Sequence, residues 1–198
     1  MKPGTIVILN GTSSSGKTSI LRALQELLPE PFLEAGIDKF IFMLPKRYLD
    51  RPLWDDVLGL ADRAGESGEI LFDGMHRAIV ALAQSGNNVL ADHVLVQRPW
   101  LLECARLFDG LPAYLVGVRC PLEVLEQREA SRRDRTLGQA RLQFPLIHTH
   151  ARYDLEVDSA ENNPQECARQ IADFLAGGTP PVAFRQILRD SQTKMKSG

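Results

Sequence analysis

Gly11-Thr12-Ser13-Ser14-Ser15-Gly16-Lys17-Thr18 fits the spacing G-x-x-x-x-G-K-[ST] at every fixed position, and no other stretch of the 198-residue chain limits its fold so tightly. Before it, Thr5 to Leu9 is a short apolar, β-branched run of the kind that forms a buried parallel strand. After it, Ile20, Leu21, Leu24, Leu27 and Leu28 recur at helical spacing. Strand, glycine-rich loop and helix together make a phosphate cradle. The glycines let backbone N–H groups turn inward around an anion, and the helix N-terminus adds roughly half a positive charge aimed at the same point. The motif places Gly11, Thr12, Ser13, Ser14, Ser15, Gly16, Lys17, Thr18 and Ser19 around the phosphates of a nucleotide. Lys17 is expected to reach the β- and γ-phosphates, and the Thr18 hydroxyl to sit on Mg2+. The plainer alternative is a Ser/Gly-rich turn ahead of a helix.

A chain of this length is expected to form one domain around one substantial core. Its net charge of −2 implies no strongly basic face and argues against nucleic acid as the main partner. No apolar run approaches the roughly 18 residues that span a bilayer, and Met1-Lys2-Pro3-Gly4 runs directly into the first strand, so no membrane partner is expected. Cys104, Cys120 and Cys167 form no CxxC pair and are read as small residues in a helix or at a strand end, in a reducing, cytoplasmic compartment.

Helical and strand-like segments alternate along the chain, the pattern of an α/β protein with a parallel sheet. Pro29-Glu30-Pro31 ends the first helix and leads into a second strand over Phe32 to Ala35. Gly36-Ile37-Asp38 then falls beyond the carboxyl end of that strand, where ligands of such sheets lie. Asp38 is either a general base for an acceptor hydroxyl or the N-cap of a helix starting at Lys39. Phe40 to Tyr48 is apolar and then basic, and Arg51 to Gly68 has no clean period and reads as an irregular or partly helical excursion over the functional edge. A helix follows over Glu69 to Gln84, with Ile70, Leu71, Met75, Ala78, Ile79 and Leu82 as its apolar face and His76 in a structural or solvated role.

Asn88-Val89-Leu90-Ala91-Asp92-His93 reads as a third strand. An apolar run ending in Asp suits a carboxylate that holds Mg2+ directly or through water, so Asp92 joins Thr18 as a metal-side residue. Pro99 to Phe108 reads as a helix, Ala113 to Val118 as a fourth strand, and Pro121 as the opening of another helix. Arg128, Arg132, Arg133, Arg135 and Arg141 then fall close together. They are either a solvated helix face or a lid that closes guanidinium groups over phosphates, with Gly138 supplying flexibility. His148-Thr149-His150 has no third ligand at metal spacing. Asp154 to Asp158 reads as the final strand and Pro164 opens the last helix of the domain. The domain is expected to span 1–178 with its lid at about 129–146. A C-terminal extension over 179–198 is expected to be partly disordered, with Phe184, Ile187 and Leu188 docking and Ser191 to Gly198 loose.

Taken together, these residues resemble the chloramphenicol phosphotransferase family of small P-loop kinases. The likeness runs to about residue 176. It rests on Ile8-Leu9-Asn10 with the phosphate loop, Leu28-Pro29-Glu30-Pro31 with Gly36-Ile37-Asp38, and Val116-Gly117-Val118-Arg119-Cys120. The remaining pieces are Arg128-Glu129-Ala130-Ser131-Arg132-Arg133-Asp134-Arg135, and His148 with Tyr153-Asp154-Leu155-Glu156-Val157-Asp158. The family implies a P-loop NTPase fold of nucleoside- or shikimate-kinase type: five parallel strands flanked by helices, with an arginine-rich lid. It implies ATP- and Mg2+-dependent phosphorylation of a hydroxyl on chloramphenicol. By position, Asp38 matches the family's catalytic base, Lys17 and Thr18 its phosphate and magnesium residues, and Arg132 and Arg135 its lid arginines. The spacing of Arg128 and Arg135 also resembles shikimate kinase, which implies that Arg128 lies against the adenine. The third strand ends in Asp92-His93 where the family has paired acids, so Asp92 alone is kept as the metal-side carboxylate.

The expected partner is a small molecule with a free hydroxyl, and a homo-oligomer is compatible with the sequence. A kinase of another metabolite or sugar nucleotide is the second reading, and a nucleotide-binding switch is a third of another class. Guanine-reading Asn-Lys-x-Asp is absent from the chain, which argues against the switch.

Overall fold

The computed structural model describes residues 2–49, 65–131 and 137–196. Its five strands are β1 (Ile6–Asn10), β2 (Phe32–Glu34), β3 (Asn88–His93), β4 (Ala113–Arg119) and β5 (Leu155–Asp158). They form one sheet in the order β2-β3-β1-β4-β5, parallel throughout. The expected five-stranded parallel sheet is therefore the observed one, with strand ends shifted by a residue. β1 starts at Ile6 and includes Asn10, β2 stops at Glu34, and β5 starts at Leu155.

Burial on both faces explains why the central strands read as unbroken apolar runs. Side chains alternate across a strand. Ile6 and Ile8 of β1 pack into one core with Phe72, Met75, Trp100 and Phe108, whereas Val7 and Leu9 pack into the other with Ile20, Leu21, Leu24 and Ile171. The first core is covered by α4 (Glu66–Gln84), α5 (Arg98–Leu107) and α9 (Ala183–Lys196). The second is covered by α1 (Lys17–Leu27) and α8 (Pro164–Ala176). Burying each such Ile, Leu or Phe is worth about 1.5–3 kcal/mol. α8 begins on a capping box, with Asn163 Oδ1 accepting from the Glu166 N–H and Glu166 Oε2 accepting from the Asn163 N–H.

Shorter helices decorate the carboxyl edge of the sheet: α2 (Ile37–Ile41), α3 (Lys46–Leu49), α6 (Leu122–Ala130) and α7 (Gln139–Gln143). Strand order reverses at β1, since β3 lies on one side of it and β4 on the other while all five strands run the same way. A crevice forms at such a switch point, beyond the strand ends. The phosphate loop leaves β1 at that point.

Three expectations need correction. The buried face of α4 is Phe72, Met75, His76, Ile79 and Ala83, and Ile70 is 69% exposed. The apolar side chains of α4 fit two overlapping stripes, and the packing against α5 selects the one that includes His76. Asp38 is not an N-cap, because α2 starts at Ile37 with Gly36 as its cap residue, which places Asp38 inside the first turn. The tail beyond Ser191 is helical to Lys196, as the continuation of α9.

Candidate active site

The phosphate loop is shaped by backbone geometry that its residue types permit. Gly16, with φ 85°, is left-handed, and Ser14, with φ 63°, is the one non-glycine residue with positive φ among the described residues. A β-carbon on Gly11 would lie 2.8 Å from both Ser15 Oγ and the Val118 carbonyl oxygen, so only glycine fits between β1 and β4 there. No side chain caps α1, whose first N–H groups face the loop. The hydroxyls of Ser13, Ser14 and Ser15 are buried and have no hydrogen-bond partner in the protein. A buried donor set without partners is costly, and its placement around an inward-turned loop suits a polyanion. Lys17 is buried within the cradle, and its Nζ donates to the Thr12 carbonyl at 2.7 Å.

Thr18 Oγ1 donates to Asp92 Oδ2 at 2.5 Å, so the first turn of α1 and the end of β3 present a hydroxyl and a carboxylate together. Among the described residues no cluster of three or more His, Cys, Asp or Glu side chains could hold a metal by itself. One hydroxyl and one carboxylate beside a phosphate cradle suit Mg2+, which keeps waters and binds through substrate phosphates. Gly36 makes room for that carboxylate, since a β-carbon there would lie 1.9 Å from Asp92 Oδ1.

Asp38 lines the same cleft as Lys17, Thr18 and Asp92. The apolar lining of this cleft is Ile37, Ile41, Phe72, Val94, Val96 and Trp100. Phe72 meets Trp100 edge-on with ring centroids 4.9 Å apart, and Trp100 Nε1 donates to Glu69 Oε2 at 2.7 Å. The cleft therefore joins a phosphate cradle, a carboxylate and an aromatic wall.

His93 and His76 brace that wall from behind. The Val94 N–H donates to His93 Nδ1 at 2.7 Å, which leaves the proton of a neutral His93 on Nε2. That N–H donates to His76 Nε2 at 2.9 Å, and His76 Nδ1 in turn donates to Glu103 Oε2 at 2.9 Å. Burial holds His76 down to about 4 and His93 well below its ordinary value. Burial and the neighbouring Asp73 raise Glu103 to about 7, while the Arg77 guanidinium lowers Asp73 to about 2. His93 is thus turned away from the cleft. His148 is structural in the same sense: Tyr153 donates its hydroxyl to His148 Nδ1 at 2.6 Å and accepts from Asn10 Nδ2 at 2.8 Å.

On the far side of the loop, Arg128 lies beside a second recess edged by Ser14, Gly16, Ser19 and the turn from Ser159 to Pro164. Its guanidinium donates to the Ser159 carbonyl at 2.7 Å and to Ser159 Oγ at 3.3 Å. The three cysteines are free and buried, Cys104 and Cys167 within helices and Cys120 just past the end of β4. Arg132 and Arg135, with Arg133, lie outside the described residues, as do residues 50–64, which take in most of the excursion over the edge.

Two buried polar neighbours of the cleft escaped the sequence reading. Glu129, which interrupts the arginine run, is buried, and its carboxylate accepts the N–H groups of Gly138 at 2.7 Å and Ala140 at 3.0 Å. It caps α7 and ties it to α6. Gln143, at the end of α7, accepts the Ser13 N–H at 2.6 Å through Oε1. Glu129 stands inside the Arg128 to Arg135 stretch, where an acid within a basic run was the only hint, and Gln143 belongs to no local motif.

The chain matches the chloramphenicol phosphotransferase-like protein family over residues 4–176. A Mycobacterium tuberculosis protein named "Putative O-phosphotransferase" is 37% identical over 200 residues, which cover 94% of this chain and 89% of that protein. Among solved structures, a sugar kinase from Janibacter sp. superposes with a TM-score of 0.66 at 19% identity, covering 88% of this chain and 95% of that one. The Mycobacterium tuberculosis APS kinase in complex with AMPPNP and APS superposes with a TM-score of 0.63 at 18% identity, covering 89% and 99%. The fold is that of small P-loop kinases.

Proposed function

This chain belongs to the chloramphenicol phosphotransferase-like family, and on that premise we propose that it transfers the terminal phosphoryl group of ATP, with Mg2+, to a hydroxyl of a small, largely apolar molecule of the chloramphenicol type. The family and fold make it a phosphotransferase; the donor, the metal and the acceptor are the proposal. The observation that carries it is the single cleft in which Lys17, Thr18, Asp92 and Asp38 face an aromatic wall built on Phe72 and Trp100.

The loop from Gly11 to Thr18 holds the phosphates of the donor through backbone N–H groups and Lys17. Arg128 and the turn from Ser159 to Pro164 border the recess for the base. Thr18 and Asp92 are the residues that would hold Mg2+, which when bound neutralises charge on the phosphates. The aromatic wall binds the apolar body of the acceptor and excludes water. Asp38 orients the acceptor hydroxyl and takes its proton as the oxygen attacks. Lys17 steadies charge on the transferring group, and Arg132 and Arg135 are proposed to add to it from the lid.

Incubation with Mg2+, ATP and chloramphenicol, followed by mass spectrometry, is expected to give a phosphorylated product. Asp38→Asn is expected to lower turnover about 100-fold or more with ATP affinity unchanged. Near-normal turnover in that variant would remove the base assignment. The second reading, a kinase of another hydroxylated metabolite, keeps the donor side and changes the acceptor. A coupled ADP-release screen separates the two, since chloramphenicol would then be inert while another alcohol turns over.

A further inference from the structure

The phosphotransfer reading gives Gln143 no role, although its side chain stands in the phosphate loop. Gln143 is 6% exposed and its Oε1 accepts the Ser13 N–H at 2.6 Å. Ser13 and Gln143 line the cleft that holds Asp38 and Trp100 but not the recess beside Arg128, whereas Ser14, Gly16 and Ser19 line both. The Ser13 N–H therefore lies at the acceptor end of the cradle, where the last phosphate of a bound nucleotide would be. Gln143 is held there from behind: α7 is capped by the buried Glu129 carboxylate, which fastens it to α6.

A carboxamide carries an acceptor and two donors on one planar end, and its terminal torsion is soft. We propose that Gln143 is a specificity-determining residue that reads the terminal phosphate of the donor nucleotide. This rests on the donor assignment made above. With no terminal phosphate at Ser13, the carboxamide oxygen accepts the Ser13 N–H. A terminal phosphate oxygen takes that N–H instead, and the carboxamide turns to donate its own N–H to the same oxygen. A nucleoside diphosphate leaves the Ser13–Gln143 bond in place, so Gln143 separates triphosphate from diphosphate. No covalent bond changes in this exchange.

Calorimetric titration of the full chain with Mg-AMPPNP and with Mg-ADP tests the assignment. In Gln143→Ala the affinity for AMPPNP is expected to fall about tenfold while that for ADP stays within about twofold, the loss of one hydrogen bond to a charged group. In Gln143→Glu the side chain has no donor and adds a negative charge, so the AMPPNP affinity is expected to fall about 100-fold. Gln143→Met keeps the volume and removes the donors, and serves if the alanine variant does not fold. Equal weakening for both nucleotides, no change, or tighter AMPPNP binding in Gln143→Ala would overturn the proposal; the last would make the side chain a mere obstruction. If the wild-type chain bound neither nucleotide, the donor assignment itself would fail. If it bound both and the variants kept the wild-type ratio, only the role of Gln143 would fall.

Discussion

Thr18 and Asp92 are joined by a 2.5 Å hydrogen bond although 74 positions separate them in the chain. The bond closes the gap between α1 and β3 where Mg2+ is proposed to bind, and Gly36 lies directly against the same carboxylate. Two variants are expected to behave alike for different reasons. Asp92→Asn lowers the negative charge, and Gly36→Ala pushes the carboxylate aside, because its β-carbon would sit 1.9 Å from Asp92 Oδ1. The backbone of Gly36, at φ −70°, is ordinary for alanine, so the effect there is purely steric. Both are expected to lose about 100-fold in turnover. Nucleotide affinity measured with and without Mg2+ checks this, since the variants should lose most of the metal's effect.

The acceptor wall makes a prediction of another kind. Trp100 Nε1 is fixed by Glu69, and its ring supports Phe72. Trp100→Phe keeps an aromatic ring but loses that anchor and part of the surface. For an apolar acceptor it is expected to raise KM about tenfold with kcat changed little, the signature of lost uniform binding. The KM for ATP should not move. A drop in kcat with KM unchanged would place Trp100 in the chemical step instead.

The proposed donor half of the candidate site could be read because its residues are consecutive. A phosphate loop needs glycine, lysine and threonine at fixed spacing, so Gly11 to Thr18 carries its own explanation. Asp92 was legible as the polar end of an apolar strand, and Asp38 by its place beyond β2. The rest depends on contacts between distant segments. Gln143 meets Ser13 across 130 positions, and no local pattern distinguishes it from a solvated glutamine. His76 looked like one polar residue on a helix; only the packing of α4 against β3 and α5 makes it a buried link between His93 and Glu103. Ile70 misled because an apolar residue at the start of α4 fits the helical period without facing the core.

The buried histidines set a pH limit on stability. His76 and His148 are each held to about 4 in the folded protein, chiefly by burial, against an ordinary value of 6.5. Both are neutral when folded and protonate on unfolding between pH 4 and 6.5. Their contribution to stability is complete above pH 6.5 and is lost as pH falls toward 4. Glu103, raised to about 7, works in the opposite direction: it stays protonated when folded and releases its proton on unfolding. Two histidines with His93 outweigh one carboxyl. Unfolding at pH 5.5 is expected to take up about two protons, measured by calorimetry in buffers of different ionisation enthalpy. The melting temperature should fall steadily from pH 6.5 to 4.5. Net proton release at pH 5.5 would contradict this account.

The C-terminal helix offers a prediction about stability alone. The family match ends at residue 176, yet α9 beyond it is packed into the core. Asp154 Oδ1 accepts the N–H groups of Val182 and Ala183, which starts the helix, and Tyr114 donates its hydroxyl to the Thr179 carbonyl. Phe184 is 4% exposed and meets Phe108 edge-on at 5.2 Å. Phe184→Ala removes a buried ring and leaves a cavity beside Phe108, at an expected cost of about 3–5 kcal/mol. For a domain of this size that is roughly a 10 °C fall in melting temperature. α9 lies against the face of the sheet opposite α1, away from the phosphate loop. Below the melting transition, nucleotide affinity in the variant should therefore equal that of the wild type. Truncation after Pro181 is expected to destabilise the chain further. A truncated chain that melted with the full-length protein would show α9 to be an appendage; one that lost nucleotide binding while still folded would tie α9 to the site.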